Sequence, residues 1–252
     1  MKRYFIEVSY HGQAYSGFQI QDNAVTVQAE LEKALSVLAK QQISLTGSSR
    51  TDAGVHAMQN YFHFDIDYTF TNRQLYNINA LLPLDIVLVS MFEMPRHCHC
   101  RFDAVGRLYS YHLHQRKDPF LADRSYYYPY ALNLELMQLA ASSILGVHNF
   151  INYSKRNTQV KTFMCTISES VWKHEDYRLS YTVRGNRFLR GMVRGLVGTM
   201  LKVGTGRVSI DDFISSLSAQ ECELVDFAVP GKGLTLERVE FPASYFESSL
   251  RL

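Results

Sequence analysis

The sequence predicts an α+β protein made of two similar halves, each an antiparallel sheet with helices on one face. Three observations point there. Strand-like runs alternating with period two, and runs with an apolar stripe at helical spacing, follow one another as β-α-β-β-α-β. A looser pass of the same order begins near residue 105. The chain has 252 residues, 46% of them apolar, which suffices for a sizeable core, and no long linker or low-complexity tract separates the two passes. The expectation is therefore two ferredoxin-like halves, 1–104 and 105–252, packed as one body with helices on the outer faces. No residue-level repeat relates them.

In the first half, Arg3–Tyr10 alternates as a strand, with Tyr4, Ile6 and Val8 on one face and Phe5, Glu7 and Ser9 on the other. His11–Gln21 is a loop containing Gly12 and Gly17. Thr26 is placed to cap a helix from Val27 to Lys40, whose Val27, Leu31, Ala34, Leu35 and Leu38 form one stripe. A β-rich run at Ile43–Leu45 breaks into small and polar residues and resumes as a strand over Met58–Ile66. A helix over Asn72–Leu81, with Pro83 after its end, and a strand over Ile86–Met91 complete the half.

The second half offers strands at Arg107–His114, Lys161–Trp172, Tyr177–Arg184 and Thr235–Phe241. Helices are expected at Leu134–Leu145, Phe188–Lys202 and Ile210–Ser218.

Composition narrows the partners. The formal charge is only +2, so a nucleic-acid surface would have to come from local clustering. Such a cluster exists: Tyr177–Ile210 has no Asp or Glu, yet carries Arg178, Arg184, Arg187, Arg190, Arg194, Lys202 and Arg207. Arg101, Arg107, Lys155 and Arg156 are candidates to extend it. No apolar run is long enough to span a bilayer, and the N-terminus reads as a strand rather than a signal peptide, so a cytoplasmic protein without membrane contact is expected. The four cysteines are then free thiols rather than a disulfide framework. His97-Cys98-His99-Cys100 invites a zinc reading, but Cys-x-Cys lacks the usual spacing and no second pair exists, so no metal is expected.

The stretch richest in chemistry is Gly47–Ala57, GSSRTDAGVHA. Small residues let the backbone turn tightly, and the turn holds one acid, Asp52, between Arg50 and His56. A carboxylate beside a guanidinium stays ionised near neutral pH and can act as nucleophile or charge stabiliser. The commoner role of such an acid is to cap a turn, and the residues alone leave both roles open. Tyr109 and Tyr111 share a strand face, where packing aromatics are the ordinary finding. Arg190 and Arg194, four apart, share a helix face that in the ordinary case is solvated.

The run Arg50-Thr51-Asp52-Ala53-Gly54-Val55-His56 resembles the signature of the TruA family of tRNA pseudouridine synthases. Further segments resemble that family in the same order. They are Gly17-Phe18-Gln19 with Thr26-Val27-Gln28, Asn79-Ala80 with Leu82-Pro83 and Asp85-Ile86, and His99 with Arg101-Phe102. Then come Arg107, Tyr109 and Tyr111, Met192-Val193-Arg194 with Leu196-Val197-Gly198, and Gly233-Leu234. Two departures stand out: Ser49 occupies a usual glycine, and Phe18 a usual tryptophan.

The resemblance implies a pseudouridine synthase fold with a central RNA-binding cleft. It implies isomerisation of uridine at positions 38, 39 and 40 of the tRNA anticodon stem-loop, by a homodimer needing no cofactor or metal. It implies Asp52 as nucleophile, Tyr109 stacked on the target uracil and active in proton transfer, and Arg194 paired with the nucleophile. Arg50, His56, Arg101, Arg107, Arg187 and Arg190 are the expected RNA-binding residues. Two competing readings are a non-catalytic RNA-binding protein with two sheet platforms and an acid-dependent hydrolase using Asp52 and His56. The hydrolase lacks a second catalytic carboxylate or an oxyanion motif.

Overall fold

A computed structural model describes residues 1–155, 160, 162–218, 223–247 and 249–252. Arg156, Lys161 and Cys222, named above, lie outside the described residues. The chain is α+β and forms two compact units, Met1–Val105 with Leu236–Leu252, and Gly106–Thr235. No helix among the described residues is long and apolar enough to cross a membrane.

In the first unit, β1 (Lys2–Tyr10) is the central strand, antiparallel to both β3 (His56–Ile66) and β4 (Ile86–Met94). The short β2 (Thr46–Gly47) extends the sheet beyond β3, giving the order β4-β1-β3-β2. Helix α1 (Val27–Ala39) starts where expected, because the Thr26 hydroxyl accepts a hydrogen bond from the Ala29 N–H. It ends at Lys40, whose φ of 54° is left-handed. Its stripe is buried at Val27, Leu31, Ala34, Leu35 and Ala39, while Leu38 is half-buried. Helix α2 (Asn72–Leu81) begins in a capping box between Thr71 and Gln74 and packs on α1 and β4.

β1 does not alternate in burial: Tyr4, Phe5 and Ile6 are all fully buried, so both sheet faces are covered. Phe5 meets Phe241 and Tyr245, and Phe246 packs on Tyr61 and Phe92. This aromatic cluster is why Leu236–Leu252 belongs to the first unit, whereas the sequence grouped it with 105–235. Two further strands lie at this end of the chain: β10 (Leu234–Glu240), whose first two residues belong to the second unit, and β11 (Leu250–Arg251), which pairs with β4.

In the second unit the order is β5-β9-β8-β7, formed by β5 (Gly106–His114), β9 (Arg178–Gly185), β8 (Met164–Glu175) and β7 (Gly146–Asn149). All of these neighbours are antiparallel. A two-residue β6 (Tyr126–Tyr127) joins β5 in parallel. Helix α3 (Leu134–Ser143) is capped by Asn133 and packs on β8 and on α4 (Met192–Gly204); α5 (Ile210–Ser216) follows, capped by Ser209. Helix α4 starts four residues later than the apolar spacing suggests, because Gly191 adopts a φ of +75° just ahead of it.

Candidate active site

The Asp52 loop is held by backbone contacts that only glycine permits. A Cβ on Gly12 would sit 1.9 Å from the Val55 carbonyl oxygen, and one on Gly17 would sit 2.8 Å from that of Thr51. Through these gaps the 11–18 loop clasps the acidic turn. Phe18 N–H donates to Thr51 O at 3.1 Å, and Gly54 N–H donates to Tyr15 O at 3.2 Å. Gly54 itself turns the chain at a φ of +75°. Val55 N–H donates to Asp52 O, closing the turn and leaving the half-buried Asp52 side chain at its tip.

A second set of contacts comes from β1 and β3, and the residues behind it were not singled out from sequence. Asn60, fully buried on β3, donates to Ser49 O at 3.1 Å and to Tyr10 Oη at 3.3 Å. The Tyr10 and Thr51 hydroxyls are 2.8 Å apart. The backbone on both sides of Arg50 and Asp52 is thus tied to the sheet. An asparagine directly before the aromatic run Tyr61–Phe64 of that strand was the available signal. Ser49, at the family's usual glycine, fits this network by offering its carbonyl.

His56 is 6% exposed, and its Nδ1 accepts the Gly12 N–H at 3.0 Å. Its ring lies 4.3 Å from that of His11. His56 therefore braces the loop from within, while Arg50 is exposed. Arg101 is exposed too, with its guanidinium 5.9 Å from the centre of the Phe102 ring.

The second unit holds the other candidates. Tyr109 on β5 is 8% exposed, lies opposite Val183 and meets Phe188 edge-on at 5.2 Å. Tyr111, two residues on, is fully buried and donates from its hydroxyl to Pro230 O. Burial pushes its ionisation well above the ordinary tyrosine range. Of the two strand tyrosines, only Tyr111 is fully enclosed. Arg107 is buried and donates to Asn186 O at 2.9 Å, an internal brace. Arg194, in the first turn of α4, donates from Nε to Val229 O at 2.8 Å and from Nη2 to Phe227 O at 3.1 Å. These two bonds fix the plane of its guanidinium. Gly198 lets the 226–229 segment approach, since a Cβ there would meet Asp226 O at 2.1 Å.

The acid-free run of sequence is not acid-free in space. Arg178 pairs with Asp118 at 3.4 Å, Arg184 with Glu169 at 3.4 Å and Lys202 with Asp226 at 3.6 Å. Among the described residues, Arg187, Arg190 and Arg207 have no such acidic partner, and Arg190 and Arg207 are exposed. The Cys98–Cys100 run is also less isolated than its spacing suggests, because β3 brings His63 beside His99 and Cys100.

Comparison with known proteins bears on all of this. A family model described as tRNA pseudouridine synthase matches residues 6–103 and 140–242. The chain is 39% identical to tRNA pseudouridine synthase A of Parabacteroides distasonis over 251 residues, covering 98% of each protein. It is 38% identical to the enzyme of the same name from Porphyromonas gingivalis, covering 98% of this chain and 100% of the relative. For a Staphylococcus aureus tRNA pseudouridine synthase A the identity is 37%, over 94% of this chain and 91% of the relative.

Proposed function

The chain belongs to the tRNA pseudouridine synthase family, and we propose that Asp52 is its nucleophile, assisted by Tyr109 and Arg194 on one target uridine. The protein is an isomerase that converts uridine to pseudouridine in tRNA. The reaction breaks the C1′–N1 bond, turns the detached uracil, joins C1′ to C5 and releases the C5 proton. It is redox-neutral and transfers nothing to or from a donor.

The observation that carries the assignment is the clasped RTDAGVH turn. It presents one half-buried carboxylate on a backbone tied down on both sides. Such fixation suits a group that must meet a single atom, because effective concentration depends on alignment. Tyr109 supplies a ring for the displaced uracil and a hydroxyl for proton movement. Arg194, with its plane set by two carbonyls, supplies a directed positive charge for the carboxylate. The target base must leave its stack to expose the bond that breaks, so recognition rests on RNA shape and phosphates.

The finer reading is also ours: two ferredoxin-like halves with an RNA cleft, uridines 38–40 as targets, a homodimer and a cytoplasmic location. Support for the halves comes from the β4-β1-β3-β2 order with antiparallel neighbours in the first unit. The target positions and the dimer rest on the family motifs in the sequence.

Mapping pseudouridine in tRNA after incubation with wild type, Asp52→Ala and Tyr109→Phe tests the roles. Asp52→Ala should abolish product while tRNA still binds. Tyr109→Phe should bind tRNA and turn over slowly. Product formed by Asp52→Ala at the wild-type rate removes the nucleophile, and full activity in Tyr109→Phe removes the proton-transfer role. Sedimentation of the full chain checks the dimer.

A further inference from the structure

One group of side chains has no part in this chemistry. His63 on β3 and His99 and Cys100 in the turn after β4 point their donor atoms at one another, all within 4.8 Å. It is the one such group of three metal-competent residues that includes no carboxylate among the described residues. We propose that His63, His99 and Cys100 form a binding site for one zinc-class divalent ion, a clip between β3 and the 98–101 turn.

The donor set is two imidazoles and one thiol, the nitrogen and sulfur ligands that borderline-soft ions prefer over the oxygen donors of magnesium or calcium. Zinc bonds of about 2.0–2.3 Å at tetrahedral angles place donors roughly 3.3–3.6 Å apart. His63 Nδ1 and Cys100 Sγ are already 3.1 Å apart, so the widest separation closes with about 1 Å of side-chain movement. His99 is the ligand able to make it, being half-buried where the other two are buried, and its exposed edge offers the ion a way in.

Without an ion the cluster is internally bonded. Cys100 donates to Thr46 O at 3.1 Å, and His99 Nδ1 accepts long bonds from Arg101 N–H and Phe102 N–H at 3.2 and 3.4 Å. Loading removes the thiol proton and its bond to Thr46, and gives up the long His99 bonds or turns that ring. Three protein ligands then leave a fourth position for water or the Thr46 carbonyl. Thr46 immediately precedes the Gly47–Ala57 turn, so the clip would tighten the base of the turn that carries Asp52.

The test uses the full chain without a histidine tag, stripped with a chelator and titrated with Co²⁺, then with Zn²⁺ in competition. The expected result is one equivalent of Co²⁺ with a thiolate-to-cobalt charge-transfer band, displaced by one equivalent of Zn²⁺. Cys100→Ala should lose the band. His99→Gln, at a half-buried position that the core does not depend on, should weaken binding by more than the roughly 10–100-fold seen on removing an outer-sphere partner. Cys165→Ala, in the second unit, should retain one equivalent with the band intact. No stoichiometric binding, binding without the band, or a band that survives in Cys100→Ala overturns the proposal.

Discussion

Gly17→Ala separates a strained backbone from a displaced nucleophile. Gly17 has a φ of +98°, and a Cβ there would meet Thr51 O at 2.8 Å, Asp52 C at 3.2 Å and Ala53 N at 3.3 Å. Ordinary contact begins near 3.4 Å, so the Thr51 carbonyl must retreat by about 0.6 Å, taking the Asp52 peptide with it. It cannot do so freely, because Phe18 N–H is bonded to that same oxygen and Asn60 and Tyr10 hold the turn from the other side. A misplacement of about 1 Å can cost on the order of 10²-fold in rate, so this one should cost at least about tenfold in kcat, or about 1.4 kcal/mol of barrier.

Gly206 provides the control. Its φ of +73° imposes comparable backbone strain, about 1–2 kcal/mol, but a Cβ there meets nothing within 4 Å. Both variants should therefore melt a few degrees lower. Only Gly17→Ala should slow the single-turnover rate, measured as release of tritium from C5-labelled uridine in tRNA, with tRNA Kd nearly unchanged. Equal rates in Gly17→Ala and wild type, or equal slowing in both variants, would refute the reasoning.

Asn60→Leu takes the donor from the buried Ser49 carbonyl and removes the bond to Tyr10, whose hydroxyl keeps its contact with Thr51, which should cost about 1–3 kcal/mol and lower kcat more than it raises KM; denaturant melts with steady-state kinetics check both, and an unchanged kcat would deny the network a positioning role. Arg3 grips Asp65 through two bonds of 2.8 and 2.7 Å and donates to Cys98 O, and its guanidinium holds the Asp65 carboxyl below its usual range. That stabilisation is full above the ordinary carboxylate range and fades as pH falls through the depressed value, so the stability gap between wild type and Arg3→Met should shrink in acid, and a gap constant from pH 6 to pH 2 would contradict it. Arg190→Gln should reduce the salt dependence of tRNA binding by about 0.7–0.9 in slope, whereas Arg178→Gln, already paired with Asp118, should leave it nearly unchanged; equal slopes for the two would mean that local pairing does not decide which cations meet RNA.

Much of the fold was legible because its signals are local. The Asn72–Leu81 helix has the bounds that its spacing and the following proline imply, and Thr26 caps α1 as its position suggests. Errors arose where distant segments decide. The tail Leu236–Leu252 joins the first unit through Phe241, Tyr245 and Phe246, and no local pattern shows that their partners are Phe5, Tyr61 and Phe92. Strand β6 has only two residues and leans on β5, too little for any periodicity. The start of α4 was misplaced because apolar spacing continues through Phe188 and Leu189, while the backbone is turned by Gly191.

The candidate site shows the same division more sharply. Asp52 was legible as an acid in a tight turn, but what fixes it was not, since Gly12, Gly17, Tyr10 and Asn60 act by approaching from elsewhere in the unit. Charge behaves likewise: a run without acids becomes a run in which Arg178, Arg184 and Lys202 are paired once β8 brings Glu169 and the loops bring Asp118 and Asp226. A basic stretch thus measures what a fold could present, and pairing decides what it does present. Three-residue clusters follow the same rule, because His63 sits 36 residues from His99 in sequence yet in ring contact with it, at 4.6 Å between centroids. Spacing can reject a metal site built from one segment, but it has no power over a ligand delivered by a neighbouring strand.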